Sequence, residues 1–435
     1  MTSVIASGRA AASDGGGVSA YSLANPLRVD LQSLESKQDP FAFFAGLRDA
    51  GPVIPLKMPF VGRVWATTTY DATSAMLKDN RLFVQEGRHA GKSGVAGLSW
   101  WMPHAIKVLS NNMLLKDEPD HRRLRRLVDQ AFQRRLVRGM RGEIEALADQ
   151  ILDETEGRHE IDLVSAYARR FPLEVICWLL GLPEENRGKF AEWANHMTSA
   201  LRGFAALRIV FTMPGVVKYV REQIEKCRKN PREGLISELV QAEEDGDKLS
   251  EDELLSMVFL LLFAGFETTT HFITDSVMAL EQNPEQKAFL FDNFHARMER
   301  ATEELGRYTT PVQSTKPRYV AENCEFFGQK LQRGENIVGF LAAANYDPAA
   351  FDEPGKLKLD RLPNPHLVFG TGIHFCLGMQ FARVEVQSAL SRLYARYPNL
   401  EIPAPDELQW IKRFGLRGVS ALAVRPHGGE MRRAA

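Results

Sequence analysis

The run Phe369-Gly370-Thr371-Gly372-Ile373-His374-Phe375-Cys376-Leu377-Gly378 decides how the rest of the chain is read. It places one cysteine on a loop with three glycines, just before a stretch of helical periodicity and seven positions after an aromatic residue. Glycines let the backbone turn sharply and approach a flat, bulky partner. At a helix N-terminus the dipole and free N–H groups favour thiolate over thiol, and a thiolate held there suits the iron of a haem. Taken alone, a single cysteine between glycines is more often a small buried hydrophobe than a ligand. Zinc is a second reading of His374 and Cys376, but the usual paired ligand spacings are absent.

Composition narrows the class. With 435 residues the length prior suggests about three domains. No long Pro/Gly/Ser linker and no internal repeat divides the chain, so residues 21–435 read as one domain behind a disordered tail, 1–20, rich in Ala, Gly and Ser. The formal net charge of −1 gives no case for nucleic acid or an anionic membrane surface. The four cysteines are scattered, which suits reduced thiols in a cytoplasm rather than a disulfide framework. The longest apolar run, Met257 to Ala264, falls well short of the roughly 20 residues that span a bilayer. A chain without a signal peptide or membrane anchor is expected.

Helical periodicity dominates. Ile144, Leu147, Ala148, Ile151 and Leu152 mark one apolar face, and Met379, Ala382, Val386, Leu390 and Leu393 mark another that Pro398 stops. Strand signals are few: Val64 to Thr69 is β-rich, and Glu325 to Val338 reads as a hairpin turning at Gln332-Arg333-Gly334. The chain is mainly α with a small β region.

A long helix is predicted from Ser250, whose spacing to Glu253 is that of a capping box. It runs apolar on nearly all sides through Phe263 and then reaches Ala264-Gly265-Phe266-Glu267-Thr268-Thr269. A helix apolar all round is buried, and burying Glu267 in it is costly unless a partner satisfies the carboxylate. Small residues at 264 and 265 let a ligand lie against the backbone, and a threonine hydroxyl can compete for the i−4 carbonyl.

The spacing Phe-x-x-Gly-x-x-x-Cys-x-Gly together with Ala-Gly-x-acid-Thr resembles the cytochrome P-450 family, in its soluble bacterial form. The resemblance extends from about Asp39 to Pro426, with its motifs in matching order. It implies a fold that holds haem b between the long acid–Thr helix and the helix after the cysteine loop, with Cys376 as the axial ligand of the iron. By the same resemblance Thr268 is the hydroxyl beside the reacting oxygen, and Glu267 relays protons from solvent. His121 and Arg125, in Asp117-Glu118-Pro119-Asp120-His121-Arg122-Arg123-Leu124-Arg125, match the family's propionate-binding helix. Arg318 and His374 match further propionate contacts. Glu304 and Arg307, sixty-nine residues before the cysteine in the case of Arg307, match with Arg361 a buried structural triad. Gly306 departs from the larger residue usual there and should cost its helix about 1 kcal/mol relative to Ala.

The resemblance also places Phe263, Ala264, Val312, Gln313 and Leu416 near a substrate pocket, with Glu86 to Trp101 as the variable segment over the haem. An apolar or aromatic small molecule suits such a pocket. Arg122, Arg123 and Arg126 read as a solvated charged face that could dock an acidic donor. No flavin or iron–sulfur segment follows the haem region, so the family's ferredoxin and ferredoxin reductase are the implied electron source for a monooxygenase, expected as a monomer. A peroxide-driven hydroxylase is a second reading, against which the pair Glu267-Thr268 argues. A haem-thiolate sensor without turnover is a third, in which a retained proton relay would be idle.

Overall fold

The computed structural model describes residues 23–58, 62–92, 112–136, 139–186, 188, 193, 205–244 and 247–428. The expected tail, 1–20, lies outside the described residues, as does the 93–101 part of the variable segment.

Two long stretches of helix form the body. The long helix is Glu251–Gln282, and Ser250 caps it in the predicted manner: its hydroxyl accepts from Glu253 N while the Glu253 carboxylate accepts from Ser250 N. The cysteine helix is Met379–Arg396. These two pack on each other, on Arg170–Leu180 and on the brace helix Phe294–Thr309. The helix Arg141–Asp153 buries Ile144, Ala148, Ile151 and Leu152 against the cysteine helix, the face its periodicity predicted. Each Ile or Leu side chain so removed from water contributes about 1.5–3 kcal/mol. The long helix is also the one described element long and apolar enough to cross a membrane, but 56% of its apolar window is buried inside the protein. Its apolarity therefore serves the core.

The β region is a six-stranded sheet in the order Leu27–Arg28, Val53–Met58, Gly62–Thr67, Asn336–Gly339, Arg318–Val320, Phe83–Val84. Val64 to Thr67 lies in a strand as predicted, and Thr69 instead caps the helix Tyr70–Lys78. The hairpin differs from expectation. Cys324–Phe326 pairs with Gln329–Leu331 across a turn at Phe327 and Gly328, both with positive φ (48° and 77°). That is the backbone a two-residue turn needs to match strand twist. Gly334, also at positive φ, makes a second turn that passes Asn336–Gly339 into the large sheet. Two tight turns replace one because the stretch serves two sheets.

The brace helix carries Glu304 and Arg307, which are fully buried. Arg307 donates to both carboxylate oxygens of Glu304 at 2.8 Å, and Arg361 donates to Glu304 Oε2 at 3.0 Å. Lys358 N and Asn364 Nδ2 fill the remaining acceptor sites, and Arg307 also reaches the carbonyls of Asn345 and Pro354. The pattern Glu-x-x-Arg by itself fits a surface ion pair of little worth. Burial makes this one expensive to break. Gly306 lies between the two: a Cβ there would sit 3.0 Å from Phe272 Cζ and 3.5 Å from Val368. The glycine lets the brace helix approach the long helix.

Candidate active site

The cysteine loop is shaped by its own backbone bonds. Cys376 N donates to Phe369 O at 2.9 Å and Phe375 N to Gly372 O at 3.1 Å. Gly370 and Gly372 have positive φ (68° and 77°), and a Cβ on Gly372 would lie 2.4 Å from the carbonyl oxygen of Leu77. Only glycine fits there. Behind the loop, the Arg383 guanidinium lies 5.3 Å over the Phe369 ring and is held by Glu303, which also bonds His366. Sequence reading missed this trio, whose members are far apart and individually unremarkable.

Cys376 is half-buried, with Gly378 as N-cap of the following helix. The Gly378 N–H and the charge of Arg125 both favour its thiolate, but burial outweighs them and pushes the thiol up. The helix terminus alone therefore does not make a thiolate. A metal ion would, since a coordinated thiol loses its proton.

Cys376 lines a largely apolar slot of about 200 Å³. Ala264, Gly265 and Thr268 of the long helix form one wall, and Cys376, Leu377, Gly378 and Phe381 form the other. His121, Arg125 and His374 stand at its edge. The His121 and His374 rings meet edge to face at 4.4 Å, and Arg125 donates to the Phe375 carbonyl at 2.7 Å. Arg318 is buried beside them rather than on the wall, donates to the carbonyls of Met76 and Leu77 at 3.3 Å, and keeps its Nε without a partner.

Burial, then the charges of His121, Arg318, Arg125 and Lys316, push His374 down to about 3. Every charged group bearing on it is basic. An apolar slot lined by a thiol and by basic side chains, of which Arg125 also pairs with Asp129 at 3.0 Å, fits an anionic, iron-bearing group. Haem, with its two carboxylates, meets each requirement.

Thr268 lies on the wall opposite Cys376, its hydroxyl donating to the Ala264 carbonyl at 2.8 Å. The long helix nonetheless continues unbroken to Gln282. Glu267 points away from the slot and is ion-paired with Arg413. Burial pushes its carboxyl up, and Arg413 pulls against that shift. Arg413, in an irregular C-terminal stretch, carried no sequence signal. Glu385 is a second missed residue: 2% exposed on the slot wall, it bonds Thr269 across the two helices, and burial pushes its carboxyl well up.

Other expected residues fall elsewhere. Of the substrate-pocket group only Ala264 lines the slot. Phe263 packs against Phe259 at 4.3 Å. Val312 and Leu416 form a β-bridge with each other. Gln313 is buried and accepts from the Lys37 ammonium at 3.0 Å, because Lys37 is drawn inside to satisfy this amide and the Leu416 carbonyl. Arg123 is not part of a free charged face: it pairs with Asp247 at 3.3 Å and with Glu253, bracing the start of the long helix. Arg122 pairs with Glu118 at 3.0 Å and is largely exposed.

Comparisons agree with this geometry. The family model "Cytochrome P450" matches residues 198–409. The polyketide biosynthesis cytochrome P450 PksS of Bacillus subtilis is 38% identical over 394 residues, 90% of this chain and 96% of the relative. Its solved structure superposes with a TM-score of 0.83 at 37% identity, covering 91% and 99% of the two chains. The 6-deoxyerythronolide B hydroxylase of Saccharopolyspora erythraea is 33% identical, over 92% of this chain and 99% of the relative. A structure of P450BioI in complex with a fatty-acid-ligated acyl carrier protein matches with a TM-score of 0.79 at 33% identity, covering 90% and 100%. With its helical body, its thiol and its facing acid–Thr helix, the chain belongs to the cytochrome P450 family of haem-dependent monooxygenases.

Proposed function

We propose that the chain hydroxylates an apolar small molecule of polyketide or related acyl origin, with electrons from a separate ferredoxin and its reductase. The carrying observation is that Cys376 and Thr268 face each other across one slot whose edge holds His121, Arg125 and His374. Bound haem supplies the iron at which dioxygen is reduced and a C–H bond is oxidised. Cys376 offers it a sulfur ligand. His121, Arg125, Arg318 and His374 hold the propionates, and the cations that depress His374 would gain anionic partners.

Ala264 and Gly265 leave room beside the backbone for dioxygen and substrate. Thr268 Oγ1 keeps its proton donated to the Ala264 carbonyl until a stronger acceptor enters the slot, then turns toward that acceptor. Glu267 replaces the proton from behind, and Arg413 holds its carboxylate in place after each transfer. The apolar remainder of the wall excludes bulk water, which would otherwise deliver protons at the wrong moment. The substrate class rests on PksS and 6-deoxyerythronolide B hydroxylase among the relatives.

Reduced, CO-bound protein tests the centre of this reading. A strongly red-shifted Soret band that Cys376→Ser abolishes is expected, and a histidine-type spectrum would overturn it. A panel of polyketides, steroids and fatty acids, screened for the ferric low-to-high-spin shift, tests the substrate class. Shifts confined to steroids would overturn the polyketide assignment.

A further inference from the structure

On the long helix Glu267, His271 and Asp275 follow one another at four-residue intervals. Residues so spaced lie one above the next, with about 5–6 Å between successive Cβ atoms, a separation that one water can bridge. His271 and Asp275 are 2% and 1% exposed. Two polar atoms along this row, His271 Nδ1 and Asp275 Oδ1, have no hydrogen-bond partner. Buried polar atoms are nearly always satisfied, so two orphans in one row call for ordered water or a chemical role.

The row has an outer end. Asp275 and Arg417 line a polar cleft with Asp39, Tyr308, Asp406 and Trp410, further toward the C-terminus of the long helix than the cysteine slot. Its inner end is Glu267, one residue from Thr268. We infer that Asp275 and His271 carry protons from this cleft to Glu267, which assigns the solvent source of the relay proposed above and rests on that reading of Glu267.

The charges along the row shape the transfer. Arg413 and Arg417 of the C-terminal stretch, Lys37 of the helix Leu34–Gln38 and Arg169 bear on it, and all are cations. With burial they push His271 down to about 3, so its imidazole is neutral at rest. Burial lifts Asp275 to about 6 against the pull of Arg417 and Lys37, where a carboxyl exchanges protons near neutrality. A proton from cleft water converts the Asp275 carboxylate to the acid. That acid protonates one ring nitrogen of His271 as the other nitrogen releases its proton to the Glu267 carboxylate. Asp275 is again a carboxylate, the imidazole is neutral in its other tautomer, and Glu267 holds the proton. Exchange with a water restores the first tautomer. Gly418 leaves the room the ring occupies, since a Cβ there would lie 2.1 Å from His271 Nδ1.

The test uses the haem-loaded full chain and two measurements that need no substrate. The first follows deuterium exchange of the Glu267 carboxyl by its infrared carbonyl band after transfer to deuterium oxide, with Glu267→Gln identifying the band. The second is the solvent isotope effect on NADPH oxidation with ferredoxin, reductase and oxygen. Asp275→Asn and His271→Asn should each slow the exchange and the oxidation by about tenfold, below the roughly hundredfold of a fully committed general acid because stray water substitutes in part. The double variant should be no slower than either single one, and Asp275→Glu should restore the rate; a purely structural role would predict neither. If Glu267→Gln slows oxidation while both upstream variants exchange and turn over like the wild type, the path is overturned and the role of Glu267 stands. If Glu267→Gln itself behaves like the wild type, both readings fall. Should His271→Asn not retain haem, Asp275→Asn and Asp275→Glu decide the matter between them.

Discussion

Glu267 on the long helix is ion-paired with Arg413, 146 residues further along the chain. The pair explains how a carboxylate is tolerated on a helix whose neighbours are apolar. It also sets the proton affinity of the group behind Thr268, since burial raises that affinity and the guanidinium lowers it.

Arg413→Met removes the opposing charge and leaves Glu267 mostly buried without its partner. The Glu267 carboxyl should titrate higher than in the wild type, moving upward the alkaline limb of the pH–rate profile, where the donor loses its proton. Loss of a partner to a buried polar group costs about 1–3 kcal/mol. Thermal unfolding with and without Glu267→Gln checks this, because the double variant should recover most of the loss.

Thr268→Ala should leave NADPH oxidation running while product falls by about tenfold or more and peroxide rises, as expected when a positioned proton donor is lost. Product and peroxide are measured together with the compound giving the largest spin shift. Unchanged product per NADPH would remove Thr268 from proton delivery.

Glu304→Ala strands two buried guanidinium groups, those of Arg307 and Arg361. Breaking a buried pair from one side costs about 3–5 kcal/mol, several times the worth of an exposed pair. Urea unfolding and the haem-to-protein ratio should fall together, since the triad braces the segment that leads into the cysteine loop.

Gly306→Ala should destabilise despite the usual helical preference for alanine of about 1 kcal/mol. Its Cβ would press on Phe272 Cζ at 3.0 Å, and overpacking costs about 1–3 kcal/mol. Phe272→Leu should relieve the clash, and the double-mutant cycle should show strong coupling between the two sites.

The acid stability of the protein carries a signature of His271. Its folded form binds a proton only near 3, whereas the ordinary imidazole does so near 6.5. The unfolded chain therefore binds more protons as pH falls between these values, and stability is lost across that window. His271→Asn should flatten that part of the profile in denaturant titrations, leaving the slope outside it unchanged.

Much of this was legible in the chain, for definable reasons. The capping box at Ser250, the apolar faces of two helices and the glycines around Cys376 are local: each depends on residues within a few positions. Glu304 and Arg307 were recognisable as a pattern, but their pattern does not distinguish a surface pair from a buried one. Gln313 read as a pocket residue because its place in the order of motifs matched. The structure turns it inward onto Lys37, 276 residues away.

By itself, then, the sequence determined the helical class, the thiol loop and the apolar helix that carries the acid–Thr pair, because periodicity, turn chemistry and short motifs are written in neighbouring residues. Only the tertiary structure decided which partners the buried charges meet: Arg413 with Glu267, Lys37 with Gln313, and Arg123 with Glu253. Those contacts depend on how helices and loops pack across hundreds of residues. A buried charge accepts whichever partner packing brings within reach, and no local spacing records that choice.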